Sequence, residues 1–468
     1  MQQIPTALLD ALEGLPGFDR AEFLHAHHDI PSIASVRFHP VKSPAEERPA
    51  RLNSICRDRS GDFNVTEIPW CPDARGISPR PAFTFDPAFH AGAYYVQEAA
   101  SMFLGYALTL VCGSMTGLRA VDICAAPGGK STHLSSLSFI SSLLSNEIIR
   151  SRVPVLYENT IKWGMPKVFI SQDDPARIGR LTESFDVMVV DAPCSGSGLF
   201  RRDPEAVKEW SPRHVELCSQ RQQRILADAL PALAEGGILA YSTCSYSRAE
   251  NEDVLDWLVE DMGMESIPME VPPGWGIHPS ASQKTGAAGY RFYPGERAGE
   301  GFFLACLRKR RGEGTASPEP GKRSVWSTQP MPGAGDWLEH SERFLYREHT
   351  EGWMAIPEEL AGHQQVLASG LSLRKSGLLL GKIMKGRLNP EHELALSTVL
   401  RYDVPGVKLA DEDALRYLRR ENILPSEANE GWNLVRYQGL SLGWLKAIGH
   451  RANNYYPMDW RIRSAGPV

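Results

Sequence analysis

The sequence predicts a doubly wound, mostly parallel α/β sheet, with a small N-terminal α/β lobe before it and a mixed β region after it. Three observations carry this. Short apolar runs bounded by turn residues recur between residues 119 and 310. Helical stretches separate most of them, the alternation that parallel strands need. A Gly-, Pro- and Ser-rich stretch then divides this segment from a C-terminal region of short β-like and helical pieces.

Taken in order, residues 1–80 combine a helical start, TALLDALEGLPGFDRAEFLHAHH, with a strand-like piece, SIASVRFHP, and form the N-terminal lobe. Residues 81–310 hold the sheet. Its expected strands are RAVDICA (119–125), SSLLSNE (141–147), KVFISQD (167–173), FDVMVVDAP (185–193), GGILAYSTC (236–244) and, closing the segment, EGFFLACLRKR (300–310). VELCSQRQQRILADALPALAEG is one of the intervening helices. Residues 311–335 read as a linker and residues 336–468 as the C-terminal region.

Bulk properties narrow the function. A chain of 468 residues with 42% hydrophobic and 23% charged residues has the composition of ordinary globular protein. No apolar run reaches the ~18 residues of a membrane span, and no secretory signal opens the chain, so a cytoplasmic location is expected. The net charge of −6 argues mildly against nucleic acid, although a local basic face can override it. RKRR at 308–311 and the group Lys382, Lys385 and Arg387 are such local runs, and each alone reads as solvated surface. None of the eight cysteines forms a CxxC pair with zinc-ligand spacing, so no metal site is expected.

The first chemical signal is VDICAAPGGKSTHL. It joins an apolar strand to a helix through a double-glycine turn, which lets the backbone approach a ligand closely. The string lacks both GxGxxG and the spacing of a phosphate loop. A neutral or cationic nucleoside such as S-adenosylmethionine therefore fits Cys124, Ala125, Ala126, Pro127, Gly128, Gly129 and Lys130 better than a nucleotide phosphate does. Glu147 ends the next strand, and Asp173 and Asp174 end the one after. A carboxylate at such a strand end can accept both hydroxyls of a ribose, and Asp174 is placed to accept from an adenine amino group. An isolated acid there is more often plain surface; recurrence at successive strand ends favours the ligand.

The second signal is a pair of thiols. DAPCSGSG and STCSYSRAENED put Cys194 and Cys244 at the carboxyl ends of two strands, with Asp191 three residues before Cys194. Cys56, Cys71, Cys112, Cys218 and Cys306 read as small hydrophobes. Cys194 and Cys244 instead lie in polar, turn-forming sequence. A crevice thiol suits one difficult reaction, methylation of carbon 5 of cytosine. A thiolate adding to carbon 6 turns carbon 5 into a nucleophile, and covalent catalysis splits the hard step into easier ones. The thiol must be activated, and Lys130 in the neighbouring loop is a candidate. Asp191, if buried enough to hold a proton, could serve ring nitrogen 3. The second thiol is available as base or release group.

At these residues the chain resembles the RsmF/YebU-like RNA cytosine-5 methyltransferases of the nucleolar-protein/Sun superfamily. The resemblance runs through FHAGAYYVQEAASM (89–102), CAAPGGK (124–130), SNEIIRSR (145–152), DAPCSGSGLFRRDPEA (191–206), YSTCSYSRAENEDVL (241–255) and the C-terminal GLSLGWLKAIGHRANNYYPMDWRIR. It implies a seven-stranded S-adenosylmethionine-dependent methyltransferase sheet closed by an antiparallel strand, and a PUA-like C-terminal RNA-binding module. It further implies that Cys244 is the nucleophile and Cys194 assists release. Asp191 and the Pro193 backbone would read the cytosine, and the 124–130 loop with Glu147, Asp174 and Asp191 would hold the cofactor. The implied partner is RNA, ribosomal before transfer RNA, with no obligatory protein partner. One departure stands out: the family's Arg-X-Asn in the N-terminal lobe reads Arg37-Phe38-His39 here.

Two other classes compete. A catalytically silent RNA-binding assembly factor would need only the basic and aromatic cluster Trp444, Lys446, Arg451, Asn453, Asn454, Tyr455 and Tyr456, which otherwise is the core and surface of a small β domain. Such a binder has no use for two crevice thiols. A small-molecule methyltransferase would need neither Cys244 nor the C-terminal region.

Overall fold

The computed structural model describes residues 4–56, 63–295, 299–311 and 326–464. In the N-terminal part, β1 (Ala34–Phe38), β2 (Asn64–Glu67), β3 (Ala74–Ser78) and β4 (Tyr94–Val96) make an antiparallel sheet in the order β2-β3-β1-β4. The helical start of the sequence breaks at Gly14 and Gly17 into Thr6–Leu12 and Arg20–His28. Both helices pack on the following domain, where Leu8, Leu12 and Phe23 share a cluster with Trp210, Tyr246 and Tyr293.

His39, standing where the resemblance carries asparagine, is fully buried. Its Nδ1 accepts the N–H groups of Val41 and Lys42 at 3.0 Å, which leaves Nε2 to donate to the Trp163 carbonyl at 2.9 Å. Burial holds this imidazole well below the usual histidine range, consistent with the neutral tautomer.

The central sheet uses β5 (Leu118–Asp122), β6 (Ile140–Asn146), β7 (Val168–Ser171), β8 (Phe185–Asp191), β9 (Leu233–Thr243), β10 (Met264–Ser266), β11 (Ile277–Ala281), β12 (Ala288–Phe292) and β13 (Phe302–Lys309). Seven strands run in the order β7-β6-β5-β8-β9-β13-β12. The first five are mutually parallel, and β13 is antiparallel to both neighbours, so β12 returns to the common direction. This is the predicted seven-stranded sheet. β11 adds to the β12 edge and β10 pairs with the end of β13. The central strands are buried on both faces, which is why they read as unbroken apolar runs. The expected helix after β8 spans Pro212–Ala229, capped by the Ser211 hydroxyl, which accepts the His214 N–H at 3.1 Å. It ends before Pro231, and the chain enters β9 at Leu233.

From β5 the chain winds outward through β6 and β7, then crosses back to β8 on the other side of β5. The reversal places the carboxyl ends of β5 and β8 side by side, and in such sheets the binding crevice lies there.

Residues 312–325 of the predicted linker lie outside the described residues. From Trp326 the chain is already packed: Trp326 and Met331 are buried, and the Trp326 Nε1 donates to Gln364 at 2.7 Å. The folded C-terminal region thus begins inside the predicted 311–335 linker, because two large apolar anchors sit in a stretch whose composition Gly, Pro and Ser dominate. Its strands are β14 (Phe344–His349), β15 (Gly352–Pro357), β16 (Leu373–Lys375), β17 (Leu378–Met384), β18 (Arg387–Pro390), β19 (Gly406–Lys408), β20 (Gly431–Tyr437), β21 (Leu440–Ile448) and β22 (Arg451–Asn454). They form two sheets, β14-β15-β17-β18 and β19-β20-β21-β22. β16 belongs to neither: it pairs antiparallel with β7 and extends the central sheet. Trp326, Ile356, Leu360, Leu367 and Leu371 accordingly share one core with Val121, Phe169 and Met188. The last sheet packs on the N-terminal lobe, with Val36 and Phe38 in one cluster with Tyr417, Leu442 and Tyr456. Among the described residues no helix is long and apolar enough to cross a membrane.

Candidate active site

The loop from Cys124 to Lys130 follows β5 and opens helix Gly129–Ser136. Gly128 has a φ of +110°, a left-handed conformation that strains any residue with a Cβ. Side chains from elsewhere hold the loop's carbonyls: Arg152 donates to Ala126 O at 2.6 Å and Asn159 to Pro127 O at 2.8 Å. The Ala125 N–H donates to Asn146 O at the end of β6. Beneath the loop, Asp122 is fully buried with one oxygen accepting from the Ser131 hydroxyl at 2.7 Å, and burial pushes its carboxyl up to about 7.

A cavity of about 190 Å³ lies between this loop and the segment that runs from β4 to Ser101. Cys124, Ala125, Ala126, Pro127, Gly129, Lys130 and Asp191 line one side, and Tyr95, Val96, Gln97, Glu98 and Ser101 the other. The second wall was missed at the residue level, although its sequence lies within FHAGAYYVQEAASM. Arg37 fixes the two walls together: its guanidinium donates to Gln97 Oε1 at 2.9 Å and to Thr132 Oγ1 at 2.7 Å, and lies 4.5 Å from the Trp163 ring centroid.

Lys130 and Asp191 meet on the same wall of the cavity, ammonium to carboxylate at 2.7 Å. The other Asp191 oxygen accepts from the Ser242 hydroxyl at 2.8 Å. The expected burial of Asp191 does not hold, since its side chain is 35% exposed. Its two oxygens accept from Lys130 and Ser242. β8 ends at this residue, and the turn into DAPC opens it toward the cavity. Glu147 and Asp174 stand at the same edge of the sheet, at the ends of β6 and β7, outside the cavity lining. Glu147 is buried and accepts the Ile149 N–H at 2.8 Å. Asp174 is exposed and caps a short helix at Ala176 N. Asp173 turns away to the C-terminal region, where it accepts from Arg177 and from the Ser372 N–H, both at 2.7 Å.

The two thiols come together. Cys194 Sγ and Cys244 Sγ are 2.7 Å apart, on adjacent loops after β8 and β9. The contact with Cys244, and then burial, drive the Cys194 thiol well above its usual range. Either sulfur can be the donor in this contact. The five cysteines read as structural are elsewhere, and Cys71, Cys112, Cys218 and Cys306 are buried.

In the C-terminal cluster, Trp444, Asn454 and Tyr456 are core residues, with the Trp444 Nε1 donating to Glu391 O at 2.8 Å. The period-2 alternation of the strands leaves Lys446, Arg451, Asn453 and Tyr455 facing outward. There the Lys446 ammonium lies 5.1 Å from the Trp432 ring centroid, and Tyr455 packs edge-on to the same ring at 4.5 Å.

A seven-stranded sheet of this order, with a glycine loop and an acidic residue at its switch point, defines an S-adenosylmethionine-dependent methyltransferase. The cradle fits that cofactor: a Cβ added at Gly129 would point into the cavity wall, 3.5 Å from Tyr95 and 3.7 Å from Gln97, and Asp191 offers a carboxylate to a cationic ligand. Residues 114–308 match the model of the 16S rRNA methyltransferase RsmB/F family, residues 4–99 that of the N-terminal domain of 16S rRNA methyltransferase RsmF, and residues 405–462 that of the methyltransferase RsmF PUA domain. The ribosomal RNA small subunit methyltransferase F of Shewanella loihica is 31% identical over 414 residues, covering 84% of this chain and 83% of that one. The chain belongs to the RsmB/F methyltransferase family. Among solved structures, a methyltransferase homolog from Pyrococcus horikoshii is 28% identical, with a TM-score of 0.52 over 65% of this chain and 95% of that one. NSun6 from the same organism, solved with SFG, shares the fold at 19% identity, with a TM-score of 0.54 over 66% of this chain and 99% of that one.

Proposed function

We propose that this enzyme transfers a methyl group to carbon 5 of a cytosine in small-subunit ribosomal RNA, through a covalent bond between Cys244 and carbon 6. The observation that carries this reading is the contact of two thiols on the loops that follow the neighbouring strands β8 and β9, whose carboxyl ends carry Asp191 and Ser242. A methyltransferase acting on oxygen or an amino nitrogen has no need of a thiol pair.

The 124–130 loop with Asp191 holds the cofactor, and Glu147 and Asp174 continue the crevice along the sheet edge. When bound, S-adenosylmethionine supplies an electrophilic methyl group. Cys244 adds to carbon 6 of the ring, and the electron pair displaced by the new S–C bond makes carbon 5 nucleophilic. Asp191 and the Pro193 carbonyl orient the ring through its polar edge. Lys130 keeps Asp191 in place and adds positive potential near the thiolate. After transfer a solvent water takes the carbon 5 proton, the C5–H electron pair re-forms the C5=C6 bond, and Cys244 departs with the pair from the S–C bond. Cys194, in contact with that sulfur, donates a hydrogen bond to the departing thiolate.

The ribosomal substrate is supported by the relatives named for small-subunit ribosomal RNA, and RNA capture by the outward row Trp432, Lys446 and Tyr455. The reading places the enzyme in the cytoplasm with its substrate. The test supplies RNA carrying tritium at carbon 5 of cytosine. One tritium released per methyl incorporated into small-subunit ribosomal RNA is the expected result. Methyl incorporation without tritium release contradicts carbon 5 chemistry, and release from transfer RNA alone reassigns the substrate.

A further inference from the structure

Each of the two thiols is followed by a serine, and both serines are tied to a single buried carboxylate that the mechanism above leaves unused. Glu250 has no exposed surface. One of its oxygens accepts the Ser195 N–H at 2.7 Å and a Gln222 amide hydrogen at 3.3 Å. The other accepts the Ser195 hydroxyl at 2.6 Å and the Ser245 hydroxyl at 2.5 Å. Ser195 follows Cys194 and Ser245 follows Cys244, so one carboxylate joins the two thiol loops from behind.

A second layer fixes the clamp. The Tyr241 hydroxyl is 3.0 Å from Gln222 Oε1 and 2.6 Å from the Glu250 carbonyl. The remaining Gln222 contact is donation to Pro193 O at 3.2 Å. On the other loop, Asn251 donates to Ser245 O at 2.8 Å and accepts from the Thr243 hydroxyl at 2.6 Å. The loops also touch directly, where the Gly198 N–H donates to Cys244 O at 2.8 Å.

We propose that Glu250 is a positioning residue for methyl transfer, holding the Cys194 and Cys244 loops at contact distance through Ser195 and Ser245. This rests on the thiol-pair reading of the site. A buried carboxylate without donors is strongly unfavourable, whereas three donors from the two loops and a fourth from Gln222 make it a cross-link that is lost if either loop moves. Burial raises the Glu250 carboxyl, and the hydroxyl, N–H and amide donors oppose that rise. The same negative charge is among the causes, after the Cys244 contact and burial, that keep the proton on Cys194. The position escaped sequence reading because SRAENED has the composition of solvated surface; the signal was the repeated Cys-Ser pair.

The test uses the full-length enzyme and two readouts. The first is thiol juxtaposition without RNA: diamide accepts the two electrons and two protons released as a Cys194–Cys244 disulfide forms, and the linked peptide is quantified by mass spectrometry. The second is kcat and KM for RNA methylation. For Glu250→Ala we expect linked-peptide formation at least about tenfold slower, and kcat about 100-fold lower with KM for RNA little changed, the loss typical of reacting groups displaced by an ångström. Glu250→Gln, which can keep all four contacts once the two hydroxyls rotate, restores both readouts to within a few fold. Native rates in Glu250→Ala overturn the proposal. Should that variant fail to bind S-adenosylmethionine and lose its fold, the Ser195→Ala/Ser245→Ala pair takes its place, and native linkage there overturns the proposal equally. Cys244→Ala distinguishes the two levels. If it stays active, the thiol-pair reading falls; if it is dead while Glu250→Ala is native, only the role of Glu250 falls.

Discussion

The Lys130 ammonium and the Asp191 carboxylate lie 2.7 Å apart, joining the cofactor loop after β5 to the end of β8. Through its second oxygen Asp191 reaches Ser242, two residues before Cys244. Cofactor loop and thiol strand are therefore coupled through one carboxylate. Groups that act as a unit give non-additive losses. Lys130→Ala and Asp191→Asn should each lower kcat/KM about 100-fold, and the double variant should be no worse than the poorer single one. Steady-state kinetics on the four proteins checks this; multiplied losses would show independent action.

Gly198 marks how closely the thiol loops approach. A Cβ there would lie 2.7 Å from the Cys244 carbonyl oxygen and 2.5 Å from the Gly301 carbonyl oxygen, both backbone atoms. Gly198→Ala must push the loops apart. Overpacking of this kind costs about 1–3 kcal/mol, so the melting temperature should fall by several degrees. Methylation should fall further than stability explains, measured at a temperature where the variant is fully folded.

Asp122 gives a pH signature. Burial raises its carboxyl to about 7 in the folded protein. Across the interval from about pH 4 to pH 7 the folded state therefore holds a proton that the unfolded state has released. Its contribution to stability is complete below that interval, declines as pH rises through it, and is constant above pH 7. Asp122→Asn keeps an acceptor for Ser131 and removes the titration. The variant should gain stability relative to the native protein as pH rises from 4 to 7, by up to about 4 kcal/mol. Denaturant melts across that range test it, and a difference that does not vary with pH refutes it.

The C-terminal region is part of the catalytic core rather than an appendage. β16 covers the β7 edge, and Trp326, Ile356, Leu360, Leu367 and Leu371 fill the same core as the central strands. Each buried side chain of this size contributes about 1.5–3 kcal/mol. A chain ended at Arg311 should expose that edge and lose more than the stability margin of an ordinary domain. Soluble, monomeric, cofactor-binding protein from residues 1–311 would contradict this.

The parts of the fold legible in the sequence were those written locally. β5, β6, β8 and β9 announce themselves as apolar runs with turn residues at their ends, and their order in the chain leads to the glycine loop, Asp191 and both thiols. β11 and β12, IHPSA and AGYRF, carry Pro, Gly and His where a strand signal needs alternation. β16 is three residues long, and its partner lies some two hundred positions earlier, a pairing no local pattern encodes. Trp326 was hidden by the composition around it, and Glu250 by the charge of its neighbours. Burial of Asp191 was inferred from its apolar strand, but the residue sits at the strand's open end.

The covalent step can be observed directly. Native enzyme, Cys194→Ala and Cys244→Ala are each incubated with small-subunit ribosomal RNA and S-adenosylmethionine, then resolved on a denaturing gel. The account predicts a slow-migrating RNA–protein species that accumulates in Cys194→Ala, because release is impaired, and is absent from Cys244→Ala, which also makes no product. An adduct or full methylation in Cys244→Ala would contradict it.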